Sequence, residues 1–356
     1  MTTFAIESSS FCKNDQLFKG MNQNQLAFNQ YGDAQLWASS MRVLMEAECV
    51  QFGKGSFLAA SAVVSSRNLV YSISKCAKTC AMSFRPVEGS VLICILRAGD
   101  QLQTNLGSVE AGGALAFVLD QESVFFGRLP QDTEMVFLKL TKDRFTKMIQ
   151  SWFGFVSNSQ VDRLLMRGVQ VDASLVDNCM LASPSWNESS SELQDCPGSF
   201  PANSPVEASL LLAFFAALVP LAEGEGHTEE MQHLAMLDKA VQLMLTNYSE
   251  KITLNQLCKA CGASSSTLIN AFTRFWRISP MKFLLKVRLQ KAHTLLSLFT
   301  AMHSVTSVAT EAGFWHYGRF SGYYRLQFLE LPSETLWRLS ASNLTGHSQA
   351  VQNNTP

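Results

Sequence analysis

Along the last third of the chain, apolar residues recur at helical spacing in short blocks, and the blocks are separated by glycines. The pattern occurs twice. Ile252–Leu257 opens one helix with Thr253 as its cap, Cys258 supplies a small residue, Gly262 the turn, and Ser264 caps a second helix, Ser264–Phe275. Fifty-one residues on, Ser304 caps a helix with Val305 and Val308 facing inward, Ala309 is the small residue, Gly313 the turn, and His316–Phe328 the second helix. Prolines 280 and 332 follow the two units, 52 residues apart, so the units repeat in register to within one residue. Two helices crossing steeply need a small residue at the crossing and a residue tolerant of positive φ in the turn, which makes each unit a helix-turn-helix. Between the units, Ser279–Leu296 begins with a cap and a first-turn proline. Leu285, Leu289, Ala292 and Leu296 fall on one face, widened by Leu284, Val287 and Leu295, with Lys282, Lys286 and Lys291 pointing elsewhere. Such a helix is a rigid spacer between two heads.

The pattern changes earlier in the chain. Ser90–Leu96, Leu115–Leu119, Val124–Leu129 and Met135–Leu140 are short apolar or alternating runs divided by turn residues, the signature of a small antiparallel barrel or sandwich. Thr141 caps a helix predicted to run through Trp152. From Ser183 to Pro205, 7 residues are Ser and 4 are Pro, which reads as a loop. Val206–Val219 is then apolar on nearly all sides, a helix for burial in the domain or against a second copy; interrupted by Pro220, the apolar run is too short for a membrane span. Glu223–Glu230 is polar and glycine-bearing, so the hinge is placed at 223–231. The fold class expected is α+β: an extension at 1–24, a β-rich sensor and possible dimerisation domain at 25–222, an all-α domain at 232–340 that folds on its own, and a disordered tail at 341–356.

Charge divides in the same place. Residues 232–340 hold 12 Lys and Arg against 5 Asp and Glu, whereas the whole chain is −1. A basic half on an otherwise acidic chain suits an approach to phosphate. The nine cysteines, an odd count behind an N-terminus without a signal peptide, point to a reducing cytoplasm. Cys258 and Cys261 have the spacing of half a zinc site, but both fall at packing positions of the first unit; Cys76 and Cys80 leave a thiol sensor as an alternative. The first histidine is His227, which rules out a histidine-held metal in the β-rich half. No phosphate-binding glycine loop, dinucleotide fingerprint or nucleophile elbow occurs, so an enzyme is not expected and no cofactor is assigned.

The run from Ser304 through Gly313, Phe314, Trp315 and His316 to Arg325, with the closing Pro332–Leu336, resembles the AraC/XylS family of bacterial transcriptional regulators over about 105 residues. Within it, Gly313–His316 looks most like the ethanolamine-operon type. The resemblance implies a cupin-like sensor domain in the N-terminal half. It places the base-reading residues at Ser265, Ser266, Ile269 and Asn270 on the first recognition helix and at Tyr317, Gly318, Ser321 and Gly322 on the second, with Arg274, Arg319 and Arg325 toward the backbone. Asn270 is the best adenine reader among them, since its amide can pair with N6 and N7 together. The family usually has glycine after each recognition helix; this chain has Arg277 and Leu329, so the helix ends are expected to differ locally. Together these features indicate a cytoplasmic, sequence-specific DNA-binding regulator, an activator answering a small-molecule effector, with double-stranded DNA and RNA polymerase as partners, a possible homodimer and no membrane contact. The alternatives are an N-terminal half that docks a protein partner, and a cysteine-based redox sensor.

Overall fold

A computed structural model describes residues 29–65, 69–153, 168–181, 229–298 and 304–338. Its N-terminal part is built of two antiparallel sheets, and its C-terminal part is helical. The strands are β1 (Asn29–Tyr31), β2 (Met45–Gln51), β3 (Ala59–Ser65), β4 (Leu69–Cys76), β5 (Cys80–Pro86), β6 (Ser90–Arg97), β7 (Leu102–Thr104), β8 (Gly107–Val109), β9 (Ala114–Asp120), β10 (Phe125–Leu129), β11 (Thr133–Thr141) and β12 (Gly168–Val171). One sheet runs β1-β3-β4-β11-β6-β9-β12 and the other β2-β5-β10-β7-β8. The four strands expected from the sequence are all present. Two packed antiparallel sheets are compatible with the expected cupin-like form.

The space between the sheets is filled. Phe84 and Phe125 stack at 4.5 Å, Phe117 and Phe125 at 5.2 Å, and Phe137 meets Phe84 edge-on, among buried Leu92, Cys94 and Leu96. In β6 the other face is buried too, because helices α2 (Lys142–Phe153) and α3 (Ser174–Leu181) lie over β11 and β6. That double cover gives β6 a continuous apolar run in place of alternation. Thr141 supports the start of α2, its Oγ1 accepting from the Arg144 amide at 3.3 Å. Arg97, bridging Glu134 and Asp177, pins α3 to the sheet. Sequence patterning overlooked β2–β5; in β3 and β4 buried positions include serines. Two of those serines are satisfied internally: the indole of Trp37 donates to Ser61 Oγ at 2.8 Å, and Ser61 and Ser74 share a hydrogen bond of 2.8 Å.

Cys49, Cys76 and Cys80 are fully buried where β2, β4 and β5 meet, with Cys76 and Cys80 sulfurs 3.9 Å apart. Burial pushes the Cys49 and Cys76 thiols up, and the Cys80 thiol is raised chiefly by its hydrogen bond with Cys49. A protonated, enclosed thiol is a poor nucleophile, which weighs against the redox alternative.

The helical part contains α4 (Glu229–Thr246), α5 (Leu254–Cys261), α6 (Ser265–Trp276), α7 (Pro280–Ser297), α8 (Val305–Glu311) and α9 (Tyr317–Phe328), followed by a helical stretch at 332–338. Helix α4 starts inside the expected hinge, three residues before the expected domain edge. The expected helix 206–219, the Ser/Pro-rich loop, the extension and the tail lie outside the described residues.

The two parts share one seam. Val50, Ala81 and Phe126 of the strands, with Phe52 after β2, join the same apolar cluster as Phe275, Trp276 and Phe283. Phe52 meets Trp276 at 6.1 Å and Phe283 at 5.7 Å, and Phe126 meets Phe275 at 5.3 Å. The expected freely folding C-terminal unit therefore has part of its core supplied by the sandwich. Polar side chains of α7 complete the seam: Gln290 Nε2 and Thr294 Oγ1 donate to the buried Asp33 carboxylate at 2.9 and 3.1 Å, and Lys291 pairs with Glu48 at 2.7 Å. Lys286 donates to the Phe52 carbonyl at 3.2 Å and to the side chain of Gln327. The expectation that Lys286 and Lys291 point away from packed surface is thus corrected, because α7 is covered on two sides and its second side is polar.

Between Gln290 and Thr294 on α7, His293 Nδ1 lies 2.6 Å from the Tyr324 hydroxyl, which in turn bonds to Thr335 at 2.8 Å, and His293 Nε2 lies 3.9 Å from the Asp33 carboxylate. Burial lowers the His293 pKa to about 3, with Arg338 contributing, and burial raises Asp33 to about 6 against the hydrogen bond from the Leu36 amide. The two groups act in opposite directions on stability. An unfolded chain protonates His293 near 6.5, so stability is lost as pH falls from there to about 3; Asp33 protonates first in the folded chain, so stability is gained as pH falls from about 6 to 3.8. In His293→Gln the loss is removed and the gain remains. Urea unfolding across this range should give a wild-type-minus-variant difference that falls by about 1.4 kcal/mol per pH unit between 6.5 and 3; parallel curves would show that His293 is not held neutral.

Candidate nucleic-acid interface

Each helix-turn-helix is built by local rules that the sequence already displays. Thr253 and Gln256 form a reciprocal capping box at the start of α5, and Gly262 ends that helix at φ 66°, its amide donating back to Lys259. Ser264 caps α6 by accepting from the Thr267 amide at 3.1 Å. In the second unit Ser304 and Ser307 make the box for α8. His316 stands at the cap of α9 without a side-chain bond, so this recognition helix begins less firmly. Cys258 is buried at the crossing, its thiol donating to Ser265 Oγ at 3.7 Å, and Cys261 packs half-buried on the same cluster. Ala309 is fully buried at the equivalent crossing.

Buried residues define the inner face of each recognition helix: Leu268, Phe272, Phe275 and Trp276 in α6, and Phe320, Tyr324, Gln327 and Phe328 in α9. At helical spacing the opposite face of α6 carries Ser266, Asn270, Thr273 and Arg274, and that of α9 carries Gly318, Gly322 and Arg325; all seven are exposed. Ser265, Tyr317 and Arg319 are exposed beside these stripes, whereas Ile269 and Ser321 are half-buried at their margins. Some polar groups are already engaged. Ser265 faces the thiol of Cys258, Ser266 shares a bond with Ser264, and the Tyr317 hydroxyl lies 3.2 Å from Thr310 Oγ1. Asn270 keeps its amide clear of side-chain hydrogen bonds among the described residues. Thr273 was overlooked in the sequence, though its spacing from Ser266 and Asn270 puts it on the same stripe.

The two heads are held to one another as well as to α7. Arg288 of α7 donates to the carbonyls of Tyr248 and Glu250 at 2.7 and 2.6 Å, fixing the loop before α5. The turn of the second unit sits against that loop: a Cβ on Gly313 would come within 2.8 Å of the Ser249 carbonyl oxygen. Gly313 is thus required by its φ of 79° and by close approach together.

Both recognition helices end in a left-handed residue that is not glycine, Arg277 at φ 60° and Leu329 at φ 61°. The expectation of locally altered ends is overturned. Each carries about 1 kcal/mol of backbone strain, and each meets the N-terminal sandwich. Arg277 donates to the side chain of Gln101 at 3.2 Å, and Leu329 lies 3.4 Å from where a Cβ on Gly55 would stand. The Gly55 amide donates to the Gln327 carbonyl at 2.8 Å, satisfying an end group of α9, and Gln327 Nε2 donates to the carbonyls of Gln51 and Gly53 at 3.1 and 3.0 Å.

Residues 257–338 match the family described as "Helix-turn-helix domain". XylDLEGF operon transcriptional activator 2 of Pseudomonas putida is 35% identical over 100 residues, which are 28% of this chain and 64% of that protein. The raffinose operon transcriptional regulatory protein RafR of Pediococcus pentosaceus is 26% identical over 219 residues, 60% of this chain and 74% of its own. A solved probable AraC family transcriptional regulator from Rhodopseudomonas palustris is 38% identical, over 29% of this chain and 96% of that one, with a TM-score of 0.28. The chain spans 64% of the first of these relatives and 31% of the longer XylDLEGF activator.

The two turn glycines separate strain from crowding. Gly262→Ala meets nothing within 4 Å and should cost about 1 kcal/mol from φ alone, whereas Gly313→Ala adds a backbone clash and should cost about 2–4 kcal/mol. Urea denaturation of the full chain measures both, and equal costs would mean that the second turn does not press on the loop at 248–249.

Proposed function

From its C-terminal third, which is an AraC-type helix-turn-helix domain, we propose that the whole chain is a sequence-specific DNA-binding transcriptional regulator, an activator that recruits RNA polymerase. The observation that carries this reading is the pair of recognition helices with their outward faces exposed and their inner faces fixed to one helix, α7. Two heads on one spacer suit successive major-groove segments, roughly 34 Å apart. Asn270 reads a base; Ser266, Thr273 and Tyr317 line the groove; Arg274, Arg319 and Arg325 contact phosphate. The glycines of α9 offer no side-chain hydrogen bonds, so the second head positions more than it specifies.

The N-terminal sandwich takes the signal. Its contacts with α6, α7 and α9 give a bound effector, or a docked partner, a mechanical route to both heads. Either ligand shifts the arrangement only by its differential affinity for two states. The filled space between the sheets favours the second reading, a protein partner in place of a small molecule held inside the sandwich. Metabolites that raise the melting temperature of the full chain would support the effector, and a stoichiometric partner that alters DNA affinity would support docking.

Genome-wide mapping of binding sites gives the operator. On it, Asn270→Ala should cost about 1–3 kcal/mol and relax preference at one base pair. Arg319→Ala should weaken all sequences alike and make the plot of log affinity against log salt shallower by about one. Unchanged specific binding by Asn270→Ala in a gel-shift titration would remove α6 from the groove.

A further inference from the structure

The loop after β2, Phe52-Gly53-Lys54-Gly55, reaches the C-terminal end of the second recognition helix, where the Gly55 amide caps the Gln327 carbonyl and Leu329 lies against Gly55. Leu329 follows Arg325 by four residues and Gly322 by seven, so it stands on the outward stripe of α9, not on the packed one. The loop therefore continues the exposed face of the second head past its last turn. Lys54 is exposed there, and the Lys78 ammonium, from the turn between β4 and β5, lies 3.9 Å from the same Gly55 position. Lys286 is next to them beneath Phe52, and its amine is held down by burial and by the charge of Lys54. Among the described residues no carboxylate lies within ion-pair distance of Lys54, Lys78 or Lys286. Elsewhere Lys75 pairs with Glu134 and Lys291 with Glu48, while the half-buried Lys139 of β11 donates to the Val43 carbonyl.

Three cations that converge without an acid at the edge of a DNA-facing helix form a seat for phosphate. We propose that Lys54 and Lys78 of the N-terminal sandwich bind the backbone of the same DNA segment that α9 enters, so that the sensor half is part of the DNA-binding surface. This rests on the reading of residues 257–338 as the DNA-binding part. It extends that surface to a half of the chain to which the helix-turn-helix match does not reach. Docking of the sandwich then carries a direct consequence: a signal that lifts this corner from Gln327 removes two phosphate contacts as well as an anchor.

The test uses the full chain and a duplex of mixed sequence, about 40 base pairs long, whose affinity is measured over a series of salt concentrations. Lys54→Ala with Lys78→Ala should make the salt dependence shallower by about two, and Lys54→Arg with Lys78→Arg should leave it at the wild-type value, with the far-ultraviolet circular dichroism of both unchanged. Arg325→Ala, on α9 itself, should make it shallower by about one. If the double alanine variant keeps the wild-type slope while Arg325→Ala lowers it, the sandwich does not touch DNA and the proposal is overturned, with the helix-turn-helix reading intact. If neither change affects the slope, the placement of α9 on DNA fails, and the proposal with it.

Discussion

The docking of one corner of the sandwich onto α7 is the constraint on which the rest of the molecule depends. Val50, Phe52, Ala81 and Phe126 present an apolar surface that the strands cannot bury among themselves, and Phe275, Trp276 and Phe283 present one that the helices cannot. Joined, they make a single cluster. Burial of Phe126, Phe275, Trp276 and Phe283 at about 1.5–3 kcal/mol each, with Phe52 half-buried beside them, is ample to hold two domains together. A polar set then fixes the register: an Asp33 carboxylate out of water is tolerable only because Leu36, Gln290 and Thr294 donate to it. The apolar patch supplies attraction and the carboxylate supplies position.

Because the seam touches both heads, it removes their freedom to move independently. Phe52 and Phe126 meet the end of α6, Gln51–Gly55 meets the end of α9, and α7 lies between. The left-handed residues Arg277 and Leu329 make sense in this setting. A glycine at either place would relieve strain and lose a side chain that reaches the sandwich. Strain of about 1 kcal/mol at each cap is comparable to a single hydrogen bond or to part of an apolar contact.

What could be read from the sequence follows from how local each feature is. The capping boxes at Thr253 and Ser304, the turns at Gly262 and Gly313, and the proline start of α7 are determined by residues within four positions of one another, and all stand where the pattern placed them. Strands β6, β9, β10 and β11 announced themselves by apolar runs. Strands β3 and β4 did not, because Ser61, Ser72 and Ser74 occupy buried positions, and the bonding that excuses Ser61 and Ser74 comes partly from Trp37, 24 residues away from Ser61. The outward face of α6 was legible as far as Asn270 and Arg274, with Thr273 left out. The phosphate seat was not legible at all, since Lys54, Lys78 and Lys286 are brought together by the seam alone.

Helix α7 is not amphipathic in the simple sense, because polar as well as apolar positions on it are buried. A helix with one buried face shows a stripe; α7 is covered by both heads and by the sandwich, so Gln290, His293 and Thr294 are buried alongside its leucines. Polar residues survive on a buried face only if each finds a partner, and these partners lie in different units: Asp33 in the sandwich for Gln290 and Thr294, Tyr324 in the second head for His293. Neighbouring positions on one helix thus hold the sandwich and the second head to the same stretch of α7. A displacement of the sandwich carries Asp33 away from α7 and leaves the Gln290 amide and the Thr294 hydroxyl without their acceptor, and the cheapest relief is a shift of that side of α7 toward water. Any such shift moves His293 and, through it, Tyr324 in the core of the second recognition unit. The polar side of α7 is therefore the element through which the position of the N-terminal half is felt by the second head.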